Sequence, residues 1–419
     1  MTGTLPARLA GTWPVILGSA SFAASGIAMT VIAARVLGPM DYTAYAAVLS
    51  VVGIVVGGPA AATEQALTRR VAATGDARTA VSGLRGWLLG FVLAAVVVAI
   101  LPVGWQPVMF GPAVVIGTLA LIVAAPLQQL SAAIRGLTMG LGNRLRFGLS
   151  QAAWAAASIV LPVTLLVAGM APLTALIVGA VIAMAAPLVA VLGWGAGRSR
   201  ARQDVIADAA RAAPTSWGGG REAHFTALVL ATLVMSACLL AVPAALRPHV
   251  GDIPAAQIAA AQIVIGTSRL AVVIVGFFQP LLLARTARRS TSPPVVGDQV
   301  TTQAVALAAA LGVATVGLLT VVGGPILTAL FGPAYPFSPT VLALGSVGVV
   351  GLGPALVLTS VATGAHRYRL VAAAWLTAGA ALLATALIPT DRITVVLIGV
   401  LVSSLAPLVV LTAARAWRR

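Results

Sequence analysis

The sequence contains no lysine, and all 25 of its basic residues are arginine. That absence excludes a Walker-type phosphate lysine, a Schiff-base lysine and a Ser–Lys hydrolytic pair. Acids are scarce as well, nine in 419 residues. Charged residues make up 8% of the chain, against about 25% in an average soluble domain. So few charges cannot coat a water-soluble surface on a chain this long, which excludes an ordinary soluble enzyme. The single cysteine, Cys238, can form neither an internal disulfide nor a thiolate metal cluster. His224, His249 and His366 are far apart and lack ligand spacing, so neither a metal site nor a cofactor is expected.

What fills the chain instead is apolar sequence, 60% of all residues. The runs are solidly apolar rather than alternating, so they read as helices and not as strands of a membrane barrel. A helix needs about 20 such residues to cross about 30 Å of hydrocarbon. Six runs lie near 14–36, 42–66, 84–103, 112–132, 147–168 and 172–193. Six more lie near 223–245, 254–284, 301–322, 338–362, 368–388 and 393–415. The fold class expected is therefore an all-α polytopic membrane protein, twelve transmembrane helices in two pseudo-symmetric six-helix lobes around a central cavity. The lobes are expected at 1–193 and 223–419, joined by a polar linker at 194–222. Asp204 and Asp208 of that linker read as a solvated helix face salted with Arg202 and Arg211, not as metal ligands. The first run continues into Arg35 and Gly38 without a small-residue cleavage site and is not expected to be a removable signal.

A net charge of +16 would suggest nucleic acid in a soluble protein; here the distribution points to lipid, and no nucleic-acid partner is expected. Alternate connections carry the arginines: Arg69, Arg70, Arg78 and Arg85; Arg135, Arg144 and Arg146; five more in the linker; Arg285, Arg288 and Arg289; Arg367 and Arg369; and the C-terminal group. The intervening connections hold only Arg35, Arg247 and Arg392, each near an acid. Positively charged loops stay in the cytoplasm, so both termini are expected there, in the inner (plasma) membrane of a bacterium. Trp13, Trp87, Trp105, Trp154, Trp194 and Trp417 fall near expected helix ends, where indole favours the headgroup region.

The halves share markers. Phe110-Gly111-Pro112 is answered by Phe331-Gly332-Pro333, Arg144-Leu145-Arg146 by Arg367-Tyr368-Arg369, and Trp154 by Trp375. Parallel repeats with a substrate site between them are a recurrent transporter architecture. Proline inside many runs (Pro59, Pro126, Pro162, Pro187, Pro280, Pro354 and Pro407) predicts kinks.

Four stretches carry a family resemblance. Ala34-Arg35-Val36-Leu37-Gly38-Pro39-Met40-Asp41-Tyr42 and Glu64-Gln65-Ala66-Leu67-Thr68-Arg69-Arg70 end the first and second runs. Arg135-Gly136-Leu137-Thr138-Met139-Gly140-Leu141-Gly142-Asn143-Arg144 follows the fourth, and Ser268-Arg269-Leu270 with Gln279-Pro280 lies in the eighth. Together they resemble Wzx-type polysaccharide flippases of the multidrug/oligosaccharidyl-lipid/polysaccharide exporter superfamily. The resemblance implies two lobes with alternating access and, as cargo, a polyprenyl-pyrophosphate-linked glycan moved to the outer leaflet. Membrane lipid, glycan polymerase and glycosyltransferases are the partners it implies.

Such a cargo needs a cationic lining, because its charges cannot enter hydrocarbon unaided. Arg269, near the middle of the eighth run, is the leading candidate, with Gln262 on the same helical face. Its planar fork suits phosphate; the competing reading is a structural arginine bonded to helix carbonyls. Arg35 and Arg247 end the first and seventh runs and either receive the headgroup or snorkel to the interface. Glu64 and Gln65, near the cytoplasmic end of the second run, are lining candidates; for Glu64 a simple ion pair with the nearby Arg69 or Arg70 is favoured over a coupling acid. Gln128, beside Gln129, either bonds cargo hydroxyls or joins helices.

No catalytic role is assigned. The alternatives are a cation-coupled multidrug exporter of the same superfamily and a polytopic glycosyltransferase with Asp41 as its acid. A non-transporting assembly partner is the third. The exporter reading is weakened by the lack of acids inside the first, seventh and eighth runs.

Overall fold

The computed structural model describes residues 12–82, 84–100, 107, 110–192, 221–246, 249, 252–269, 272, 275–276, 279–288, 299–385, 387–388 and 391–416. The N-terminal half is built from α1 (Trp13–Val52), α2 (Gly58–Thr74), α3 (Ala77–Ser82), α4 (Arg85–Ile100), α5 (Val114–Gly140), α6 (Arg144–Val167), α7 (Pro172–Ala183) and α8 (Ala186–Leu192). The C-terminal half follows with α9 (Arg221–Leu246), α10 (Ala255–Ser268), α11 (Gln279–Arg288), α12 (Gln299–Phe331), α13 (Pro339–Val347), α14 (Val349–Gly364), α15 (Tyr368–Thr385) and α16 (Arg392–Ala416). Among the described residues, nine helical stretches are long and apolar enough to cross a membrane. One of them, Trp13–Thr74, is 62 residues long and holds two crossings. Two shorter apolar helices, Phe225–Leu240 and Ala255–Ser268, belong to the seventh and eighth. The chain is a multi-pass membrane protein with twelve helical segments in two lobes.

Local chemistry sets the breaks. α1 turns at Gly38, whose φ of 68° leaves the helix just before Pro39; only glycine takes that conformation without strain. A π-helical stretch, Gly53–Gly57, interrupts the second segment ahead of Pro59, whose ring and missing N–H disrupt the preceding turn. Pro126, Pro162, Pro354 and Pro407 lie inside helices as expected. Pro187 and Pro280 instead occupy the first turns of α8 and α11, where a missing donor costs little.

Both lobes use the same pairings. The first segment packs on the fifth, the second on the fourth and the fifth on the sixth; in the other lobe the seventh packs on the eleventh, the eighth on the tenth and the eleventh on the twelfth. Glycines allow the approach. Gly18 and Gly148 bring the first and fifth segments into backbone contact, and Gly312 does so against Val350 for the ninth and tenth. Close approach through small residues is how membrane helices associate without a hydrophobic driving force. The repeated markers hold matching places as well. Gly111 and Gly332 both have positive φ beside fully buried Phe110 and Phe331, and the arginine markers each follow a left-handed residue, Gly142 or His366.

The lobes meet along α1, the π stretch and α2 on one side and α9, α10 and α11 on the other. Trp154 departs from its expected interfacial place. It lies mid-helix in α6 and packs on Phe22 at 4.6 Å between ring centroids, because the fourth and fifth segments run further than their apolar cores. Trp105, Trp194 and Trp417, with nearly all of the linker, lie outside the described residues.

Candidate functional site

A cavity of about 240 Å³ opens between the lobes on the half nearer the arginine-rich face. Ser19, Phe22, Gln65 and Gln151 line it from the N-terminal lobe, and Gln279 and Ser360 from the other. Phe147 and Pro280 add apolar surface. The side-chain oxygens of Gln65 and Gln151 are buried without a hydrogen-bond partner among the described residues. Two unmet amide groups beside aromatic faces make a site for a ligand with an apolar body and a few hydrogen-bonding groups.

Glu64 stands in the wall of this cavity. Its carboxylate accepts a hydrogen bond from Arg135 Nε at 2.8 Å, with the side chains 18% and 5% exposed. The Arg135 guanidinium also lies over the Trp154 ring, 5.0 Å from its centroid. The expected pairing of Glu64 with Arg69 or Arg70 is thus replaced by a bond to another helix. Arg69 is five residues on and points away from Glu64, since five steps of about 100° leave the two well apart around the axis. Arg69 instead lies over the Tyr368 ring of the other lobe, at 5.7 Å. The sequence places Arg135 in a loop; α5 extends two turns beyond the apolar run and carries it into the lobe.

The other expected site residues scatter. Gln262 is buried in α10 and Gln128 in α5, and neither lines the cavity. Next to Gln128, Gln129 joins two helices by accepting a bond from Thr63 at 3.0 Å. Arg35 lies at the opposite end of the seam, where its guanidinium donates to the Ala329 and Leu330 carbonyls at the C-terminal end of α12. There it complements the negative end of that helix. The Tyr335 hydroxyl donates to the Ala34 carbonyl at 2.6 Å, and its ring meets Tyr42 edge-on at 6.1 Å. These contacts close the arginine-poor side. Arg247 lies outside the described residues. Arg269 ends α10 and is not among the residues lining the cavity; its Nη2 is buried without a hydrogen-bond partner among the described residues.

Solved structures share this architecture. A eukaryotic MATE transporter, AtDTX14, is 14% identical with a TM-score of 0.71, covering 98% of this chain and 95% of that one. The fold is that of the MATE transporters. A point mutant of the Vibrio cholerae MATE transporter VcmN is 16% identical with a TM-score of 0.62 over 98% and 96% of the two chains. An outward-facing multidrug resistance MATE family transporter of the MOP superfamily is 15% identical with a TM-score of 0.61, covering 97% and 94%. No family model and no curated protein matches the sequence.

These findings correct the glycan-flippase reading. The structural neighbours are transporters of the MATE fold, including multidrug ones. No arginine lines this cavity among the described residues, and Glu64 neutralises Arg135 behind its wall; Arg144 and Arg285 line a separate cavity of about 370 Å³ between the lobes. What the sequence reading missed is Gln151, Ser19 and Ser360, polar residues scattered among apolar ones with no motif to mark them. Arg135 could have been found: Glu64 is the one acid within an apolar run, near the end of the second, and an acid there calls for a partner.

Proposed function

We propose that this chain is an alternating-access exporter of small amphipathic organic molecules, with Glu64 exchanging a proton for the cargo. The observation that carries the reading is the Glu64–Arg135 ion pair in the wall of a cavity shared by both lobes. A cationic group on the cargo and a proton compete for the same carboxylate, so each weakens the other's binding; that reciprocity is antiport. Arg135 tolerates the exchange, because the Trp154 face still supports its guanidinium when Glu64 is neutralised.

The cavity volume lies below the about 300–1,000 Å³ of sites for drug-sized ligands. A full-sized cargo therefore requires the lobes to part. The closed seam at Arg35 and Tyr335 supports loading from the arginine-rich side, which the positive-inside rule assigns to the cytoplasm. The same arginine asymmetry supports both termini in the cytoplasm, and the lysine-free composition rich in alanine, valine and glycine supports a bacterial plasma membrane.

Proteoliposomes with ethidium as the reporter cation test this. The wild type is expected to move dye against an imposed pH gradient. Glu64→Gln, which keeps shape and hydrogen bonding but cannot ionise, is expected to lose gradient-driven movement at unchanged protein level. Equal gradient-driven transport by Glu64→Gln would sink the proposal, as would a wild type that leaves ethidium untouched.

A further inference from the structure

Arg269 lies 15 residues from Pro254 in the eighth segment, a rise of about 22 Å at about 1.5 Å per residue. It is therefore deep in the span. The acids of this lobe, Glu222, Asp252, Asp298 and Asp391, all stand at or beside segment ends, and no carboxylate occurs inside its apolar runs. The guanidinium is thus a cation in the membrane interior with no carboxylate of its own lobe to neutralise it. Its Nη2 is buried and has no hydrogen-bond partner among the described residues. No hydrogen bond or ion pair to a side chain of this lobe balances it among the described residues. Three residues earlier on the same side of α10, Gly266 is exposed, and a methyl group there would meet nothing.

A charge taken out of water without a counter-charge is strongly unfavourable, and ionisable groups inside membrane segments pair with something. We propose that Arg269 holds a small monovalent anion inside the C-terminal lobe, at its buried, unpartnered Nη2. One guanidinium, with no second cation beside it among the described residues, balances one negative charge and would leave a phosphate in excess. The site is separate from the interlobe cavity, since Arg269 does not line that cavity. The anion is either a free halide or a small carboxylate, which present the same single charge to the fork.

The test measures melting of the purified full-length protein in sodium chloride, sodium acetate and sodium gluconate at fixed ionic strength. The wild type is expected to gain about 2 °C for each tenfold rise in chloride above half-saturation, relative to gluconate. A gain with chloride alone assigns a halide, and an equal gain with acetate assigns a small carboxylate; both support the site. Arg269→Leu is expected to lose the dependence. Arg269→Lys is expected to keep it with about tenfold weaker half-saturation, because the ammonium lacks the planar fork. If the Leu variant does not accumulate, anomalous scattering from bromide-soaked wild-type crystals decides, with a peak expected at the guanidinium. No anion-specific gain in the wild type overturns the proposal. So does an unchanged gain in the Leu and Lys variants, or a bromide peak only elsewhere.

Discussion

In the N-terminal lobe Arg135 meets a carboxylate at 2.8 Å, whereas in the C-terminal lobe Arg269 has no carboxylate partner among the described residues. The helices around the two arginines are paired alike, yet only the first lobe keeps its counter-charge within the chain. A shared packing scheme therefore does not fix the electrostatics laid over it. On the readings proposed above, the lobe with the internal ion pair exchanges a proton at its acid, and the lobe without one takes its balancing charge from solution. The seam between them follows the same division, with bonds to backbone carbonyls at the arginine-poor end and a cation over an aromatic ring at the other.

The largest effect is expected from removing one half of the ion pair. Arg135→Ala strands Glu64 and should lower stability by about 3–5 kcal/mol, read as a fall in melting temperature. Adding Glu64→Gln to that variant should restore most of the loss, since no buried charge then lacks a partner. Arg269→Leu gives the contrast, because it removes a charge that has no carboxylate partner. In low chloride it is expected to melt at or above the wild-type temperature.

Packing offers a smaller effect. A Cβ at Gly148 would run into the Pro14 backbone carbonyl, while at Gly379 it would meet only the Val234 side chain. Gly148→Ala should therefore cost about 1–3 kcal/mol, as overpacking of a rigid contact does. Gly379→Ala should cost less than half of that in the same melt, because a valine methyl can turn aside. Smaller again is the seam. Arg35→Ala removes two bonds at an exposed rim, and Tyr335→Phe removes one in a buried setting. Each should cost about 0.5–1.5 kcal/mol of the closed state. Spin–spin distances across the seam should report this as a rise in the open population, with unchanged melting.

Much of the fold was legible because it rests on composition. Apolar runs long enough for hydrocarbon, spaced by arginine, leave little besides a helical bundle. Gly38-Pro39 marked the first turn, since only glycine takes that positive φ and proline cannot continue the hydrogen-bond ladder. The site was legible in part. Glu64 and Gln65 line the cavity, while Gln128 and Gln262 do not. Which face of a uniformly apolar helix turns toward the other lobe leaves no periodic trace, because lipid and protein interior are equally apolar.

The class of molecule is written along the chain: a membrane-embedded helical protein in two matching halves, with one face rich in arginine and a single acid within its apolar runs. The partners come from the packing of the helices. It gave Glu64 to Arg135 rather than Arg69, turned Trp154 from the interface to the lobe interior, and left Arg269 out of the cavity lining. The difference is one of range. Hydrophobic burial is set residue by residue and can be read along the chain, whereas charge pairing depends on distances between helices far apart in sequence.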